Sequence, residues 1–231
     1  MNKTAQQKRR AAHRAVEWVE SGMVVGLGTG STTRFALERI AERLKTGKLQ
    51  NIVGIPSSLQ TEKLARELGI PLSGLDAHPE IDITIDGADE VDPLLDLIKG
   101  GGGALLREKV LAQASARNVI IVDESKLVAQ LGATWPLPLE VVPFACNAEK
   151  RYLESLKSEV RLRRDSNGDP FATDQGNWIL DARFSPAIRD ARELARLLEP
   201  RAGIVAHGLF LNLATEVVVA GKDGVRVMER R

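Results

Sequence analysis

The first 125 residues predict an α/β fold built on a largely parallel sheet, and two observations carry that expectation. Short apolar, β-branched runs (Met23–Leu27, Asn51–Ile55, Ile81–Ile85, Val119–Val122) alternate with longer stretches whose apolar residues recur at helical spacing. Strands that alternate with helices in this way pair in parallel and cover both faces of the sheet with helices.

Each element has its own signal. A helix over residues 4–20 follows from Ala12, Val16 and Val19, with the Lys and Arg residues as its solvated face. A second helix, 31–45, carries Phe35, Leu37, Ile40, Ala41 and Leu44 and ends at Gly47. IPSS turns the next strand into a helix from Ser58 to Leu68, stopped by Gly69 and Pro71. Residues 104–117 form a helix after the glycine run, and Val119–Val122 a buried strand.

The character changes near Gly132, where TWPLPLEVVP is proline-rich and then strand-like. Helix 147–157, strand 159–163, turn SNGDP, strand 177–182, helix 186–199 and strand 203–206 follow. This β-α-β-β-α-β order is the ferredoxin-like pattern. HGLF and EVVVAGKDGVRVM are expected to close the chain as a hairpin turning at Lys222–Asp223–Gly224 and to rejoin the first sheet. The expected architecture is a Rossmann-like catalytic domain (1–132 and 207–231) with helices on both faces, and a smaller ferredoxin-like α+β subdomain (133–206).

Composition excludes several classes. The net charge of +1 over 231 residues offers no bulk attraction to nucleic acid or an anionic membrane. No apolar run reaches the roughly 20 residues of a membrane span. A lone cysteine, Cys146, cannot form an internal disulfide and fits a reducing compartment, so a cytoplasmic location is expected. Cys146 has no neighbouring base and reads as a small core residue. The basic start of the chain has the composition of a transit peptide, but its helical periodicity leads directly into the first strand, which argues against processing.

The chemistry concentrates in DITIDGADEVDPLLDLIKGGGGALLREK, residues 82–109. Asp86 and Asp89 leave the end of an apolar strand, Lys99 opens a run of four glycines, and Glu108 follows on a new helix. Glycines let backbone N–H groups approach a ligand, and helix starts offer unpaired donors. Upstream, GLGTGSTT between a strand and a helix is an anion cradle, with Ser31 or Thr32 also able to cap the helix. A dinucleotide site is not supported: the third glycine is misplaced and no acid ends the next strand. A nucleotide P-loop needs Gly-Lys-Ser/Thr, which the chain lacks. A small phosphorylated metabolite remains. A calcium loop beginning at Asp82 fails because Pro93 stands where its terminal Glu belongs. A magnesium site from Asp86, Asp89 and Asp92 stays open as the lesser alternative. His13, His78 and His207 are scattered and read as structural.

GTGST, DGADEVD, KGGGGALLREK and DESK, in this order and spacing, resemble the A-type ribose-5-phosphate isomerases. IPSS (55–58), PLPLEVVPF (136–144), TDQGNWILD (173–181) and HGLF (207–210) extend the resemblance over nearly the whole chain. It implies an aldose–ketose isomerase of the non-oxidative pentose phosphate pathway, working through an enediolate without metal or other cofactor. It places the substrate against Thr29, Gly30, Ser31 and Thr32, against Asp86, Gly87, Ala88 and Asp89, and against Lys99, Gly100, Gly101, Gly102 and Lys126. Glu108 is carried over as the base, with Asp86, Asp89 and Lys99 as its catalytic companions. A homo-oligomer, dimer or tetramer, is implied, with a sugar phosphate as the small-molecule partner.

The residues agree with that chemistry. Ring opening needs an acid and a base, which Asp86 or Asp89 and Lys99 or a water supply; enolisation needs one carboxylate and donors aimed at the oxyanion. Lys99 and the amides of Gly100–Gly102 are those donors. Asp82 alternates with apolar residues and faces away, while Asp92 and Asp96 lie farther from the glycines. An amino-sugar-phosphate isomerase/deaminase is the rival enzyme, but a histidine near the acids is missing. A sugar-phosphate-sensing regulator would need a DNA-binding module for which there is neither length nor a basic recognition helix.

Overall fold

The computed structural model describes residues 3–230. In chain order the first elements are α1 (Lys3–Val16), β1 (Val24–Leu27), α2 (Thr33–Lys45), β2 (Val53–Pro56), α3 (Leu59–Glu67) and β3 (Ile81–Asp86). Then come β4 (Glu90–Val91), β5 (Leu97–Ile98), α4 (Leu105–Ala114), β6 (Ser115–Asp123) and a 3-10 turn, Glu124–Lys126. β7 (Leu137–Val141), a 3-10 turn Pro143–Ala145, α5 (Cys146–Ser155), β8 (Glu159–Leu162), β9 (Trp178–Arg183), α6 (Ala191–Leu198) and β10 (Ile204–His207) follow. β11 (Leu209–Phe210), β12 (Glu216–Gly221) and β13 (Gly224–Glu229) close the chain.

Two compact units result. The first comprises Met1–Ala88, Arg107–Lys126 and Asn212–Arg231; the second comprises Asp89–Leu106 and Leu127–Leu211. The composition change in the sequence instead marks boundaries at 132/133 and 206/207.

The first unit holds a six-stranded sheet in the order β13-β12-β6-β3-β1-β2. All neighbours are parallel except the terminal hairpin β12–β13. That hairpin turns through Lys222 and Asp223, as its turn residues foretell. Val25, Leu27, Ile83, Ile85, Val119 and Ile121 are buried in one cluster with Ala11, Ala15 and Val16 of α1 and Leu37 and Ile40 of α2. Full burial of such a side chain contributes about 1.5–3 kcal/mol, so this apolar stripe is what holds the helices to the sheet. A separate cluster joins Leu111 of α4 to Ile55 and Ile81. α1 stops at Val16, earlier than its periodicity suggested, because Trp18 and Val19 turn back to the carbonyls of Ala15 and Val16.

The second unit holds a four-stranded antiparallel sheet, β10-β7-β9-β8. With α5 and α6 this is the expected β-α-β-β-α-β order and pairing. α6 begins at Ala191, later than expected, because Asp190 caps it by accepting from the amides of Arg192 and Glu193. A small antiparallel sheet, β11-β5-β4, was not foreseen. Strands of two residues carry no periodicity to read. HGLF, expected in the closing hairpin, instead ends β10 with His207 and forms β11, which pairs with β5. Gly208 explains its glycine: a Cβ there would stand 2.4 Å from the Lys99 carbonyl oxygen.

Cys146 is buried, as expected of a core residue; burial pushes its thiol up, with Lys150 opposing. Among the described residues no helix is long and apolar enough to cross a membrane.

Candidate active site

The candidate residues fall into two groups, one in each unit. In the first unit they sit at the carboxyl edge of the parallel sheet. The chain leaves β1 for β2 on one side and returns to β3 on the other, so strand order reverses between β1 and β3. Open α/β sheets bind ligands at such a switch point. The loop after β1, Gly28–Thr32, and the end of β3, Asp86, meet there.

Asp86 is 2% exposed. Its Oδ1 accepts from the amides of Thr29 (3.1 Å) and Gly87 (2.7 Å). These two bonds hold the carboxylate in one orientation. The approach demands glycine at residue 28, where a Cβ would lie 2.2 Å from Asp86 Oδ1 and 2.6 Å from its Cα. Gly30 has φ +115°, a conformation that favours glycine. Thr29 Oγ1 is ringed by the hydroxyls of Ser57 (2.7 Å), Ser58 (2.8 Å) and Thr61 (3.1 Å). Thr61 in turn donates to the Gly28 carbonyl at 2.9 Å. The IPSS motif therefore backs the loop after β1, and Ser58 also caps α3 by accepting from the Thr61 amide. Thr32 occupies the N-cap position of α2, but its side chain makes no capping bond there.

Glu108 lies in the first turn of α4, 6% exposed, with Oε2 screened from solvent. Lys126 ends the 3-10 turn after β6, half-buried. Asp123 shapes that turn by accepting from the amide and hydroxyl of Ser125.

In the second unit Asp89, Lys99 and Gly100–Gly102 come together through β4 and β5. The Asp89 amide donates to the Ile98 carbonyl (2.9 Å), and its Oδ2 accepts from the Gly101 amide at 2.8 Å. The Gly101 N–H thus holds Asp89, where the sequence had suggested an oxyanion donor. Gly102 is exposed. Lys99 is 3% exposed, its amide donates to Gly208, and its ammonium stands 5.5 Å from the centre of the Phe210 ring. In the sequence Lys99 opens a glycine run with no side chain after it to back its charge; HGLF supplies an aromatic face that stabilises it.

Two contributors were missed. Lys8 of α1 donates to Ser31 Oγ at 2.9 Å and lines a cavity of about 820 Å³ with Gly28, Gly30, Ser31, Arg34 and Lys63. The sequence places it on a solvated face, and nothing in KRR distinguishes it. Glu90, fully buried, accepts from the amides of Gly132 (2.6 Å), Thr134 (2.6 Å) and Trp135 (2.7 Å), which pins β4 directly beside Asp89. Among the described residues no group of three or more His, Cys, Asp or Glu is placed to hold a metal ion.

A buried carboxylate beside an anion loop, at the switch point of a parallel sheet, defines the class as an α/β enzyme acting on a small anionic substrate. A family model, Ribose 5-phosphate isomerase A (phosphoriboisomerase A), matches residues 53–224. The chain is 59% identical over 222 residues to a ribose-5-phosphate isomerase A of Desulfatibacillum aliphaticivorans, covering 96% of each chain. Among solved structures, a D-ribose-5-phosphate isomerase in complex with phospho-erythronic acid matches with TM-score 0.96 and 42% identity over 100% of both chains. The ribose 5-phosphate isomerase of Plasmodium falciparum matches with TM-score 0.95 and 42% identity, covering 98% of this chain and 99% of that one. The chain belongs to the ribose 5-phosphate isomerase A family, aldose–ketose isomerases that interconvert ribose 5-phosphate and ribulose 5-phosphate.

Proposed function

We propose that this chain isomerises D-ribose 5-phosphate and D-ribulose 5-phosphate with Glu108 as the proton carrier and no metal or other cofactor. Thr29–Thr32 bind the phosphate, and Lys126 belongs to the substrate site. Asp86 or Asp89 takes the proton of the anomeric hydroxyl as the ring opens, and Lys99 or a bound water protonates the ring oxygen. Glu108 then removes the C2 proton; the C–H electrons form the C1–C2 double bond and the carbonyl electrons move to O1. Lys99 and the amides of Gly100 and Gly102 stabilise that enediolate, an effect worth on the order of 10²–10³ in rate for one well-aimed donor. The proton returns from Glu108 to C1, and the O2 hydroxyl proton ends on O1, leaving the ketose.

The observation that carries this reading is the Asp86 carboxylate bonded to the Thr29 amide at the sheet's switch point. It sets a carboxylate able to hold sugar hydroxyls beside a glycine-rich loop suited to a phosphate. Purified protein should convert ribose 5-phosphate to ribulose 5-phosphate, neglect free ribose, release no ammonia from amino-sugar phosphates and leave DNA unbound. Turnover of free ribose at the same efficiency would refute the phosphate role. A cytoplasmic homodimer or homotetramer completes the proposal; light scattering on the eluted peak and cell fractionation test those two points.

A further inference from the structure

Arg163, the residue after β8, bridges Asp181 of β9 and the glycine loop. Its Nε and Nη2 donate to the two carboxylate oxygens of Asp181 at 2.9 and 2.5 Å. Its Nη1 donates to the carbonyls of Gly100 (2.9 Å) and Gly101 (3.1 Å). The first of those peptides carries the Gly101 N–H, which donates to Asp89 at 2.8 Å. The second carries the N–H of exposed Gly102. In a trans peptide the C=O and N–H point in opposite directions. Holding both oxygens from one side therefore aims both N–H groups to the other.

Four successive glycines give this loop little steric preference of its own. The clamp supplies the missing restraint. A guanidinium bonded to a carbonyl also polarises the peptide, which strengthens what its N–H donates. The clamp is itself well anchored. Side chains of Arg163 and Asp181 are 16% and 20% exposed. The Phe171 amide donates to the Arg163 carbonyl at 2.9 Å, and the Phe171 ring closes over Gly103, where a Cβ would meet it at 2.4 Å.

We propose that Arg163 is a positioning residue for the isomerisation. Through the Gly100–Gly101 and Gly101–Gly102 peptides it orients the Asp89 carboxylate and the Gly102 N–H, with Asp181 fixing the guanidinium. This rests on the reading of Asp89 and the glycine amides as substrate-facing groups. A residue that merely pinned the fold would affect stability without separating kcat from KM.

The test compares Arg163→Gln, Arg163→Lys and Asp181→Asn for kcat, KM, thermal midpoint and affinity for phospho-erythronic acid, an anionic four-carbon probe. Arg163→Gln should lower kcat by about 10- to 100-fold, somewhat below the loss of a direct oxyanion donor, with KM changed less than about threefold. Arg163→Lys keeps the charge but cannot span two carbonyls and a carboxylate, so it should resemble Gln more than wild type. Probe affinity should fall with kcat. Wild-type kcat in folded Arg163→Gln overturns the proposal. If that variant does not fold, Asp181→Asn decides: it leaves the arginine in place, and an unchanged kcat overturns the proposal equally. Lys99→Met run alongside separates the two readings. Activity retained there sinks the site assignment itself, whereas activity retained only in the Arg163 and Asp181 variants removes the positioning role alone.

Discussion

The Asp86 carboxylate accepts the Thr29 amide at 3.1 Å, tying the end of β3 to the loop after β1 across the point where strand order reverses. Two segments 57 residues apart in sequence thereby become one polar surface. The bond depends on a missing side chain, that of Gly28.

Gly28→Ala is expected to damage both stability and activity. Its Cβ would stand 2.6 Å from the Asp86 Cα, a backbone atom that cannot step aside. Overpacking of this kind costs about 1–3 kcal/mol. Thermal unfolding should shift down by several degrees and turnover should fall at least about tenfold; an unchanged midpoint would show that β1 and β3 can separate at no cost.

Lys99→Met keeps an unbranched side chain of similar length and removes the charge. Its kcat should fall by about 10²-fold or more, as for loss of a donor to a developing oxyanion, while far-ultraviolet circular dichroism stays unchanged. A near-wild-type rate would return Lys99 to a structural role beneath the glycine loop.

Glu108→Gln preserves size and helix propensity in the first turn of α4 while removing the base. Solvent deuterium should no longer enter substrate at the exchanging carbon, although ribose 5-phosphate still binds. Exchange close to the wild-type rate would transfer the proton-carrying role to Asp86 or Asp89.

Cys146 gives a pH prediction with a definite sign. Burial disfavours its thiolate, so the folded protein holds less thiolate at pH 8 than an exposed cysteine does. A thiol reagent should label native protein at least about tenfold more slowly than denatured protein, with the rate rising only at more alkaline pH. Rapid native labelling at pH 8 would mean that the start of α5 opens.

The resemblance made most of the candidate site legible because its chemistry is local. Acids at a strand end, a glycine run and a glutamate early in a helix lie within residues 82–109. Their partners were not legible. Lys8, Glu90, Arg163 and Asp181 act through pairings with residues far along the chain, and an arginine in LRRD or a glutamate in GADEV has no periodicity or motif that names its partner. The misplacement of HGLF has the same origin: its two-residue strand is defined by β5, not by its own residues.

The sequence by itself determined the alternation of strands and helices, the two glycine-rich loops and the family, since these rest on local spacing and on side chains close together in the chain. The tertiary structure decided which amide meets which carboxylate. Hydrogen bonds of 2.8–3.1 Å from the Gly101 amide to Asp89, from the Thr29 amide to Asp86 and from Arg163 to the glycine carbonyls depend on packing strands and loops together. That packing is driven by buried apolar area, which is indifferent to direction, so only the folded arrangement specifies the polar geometry.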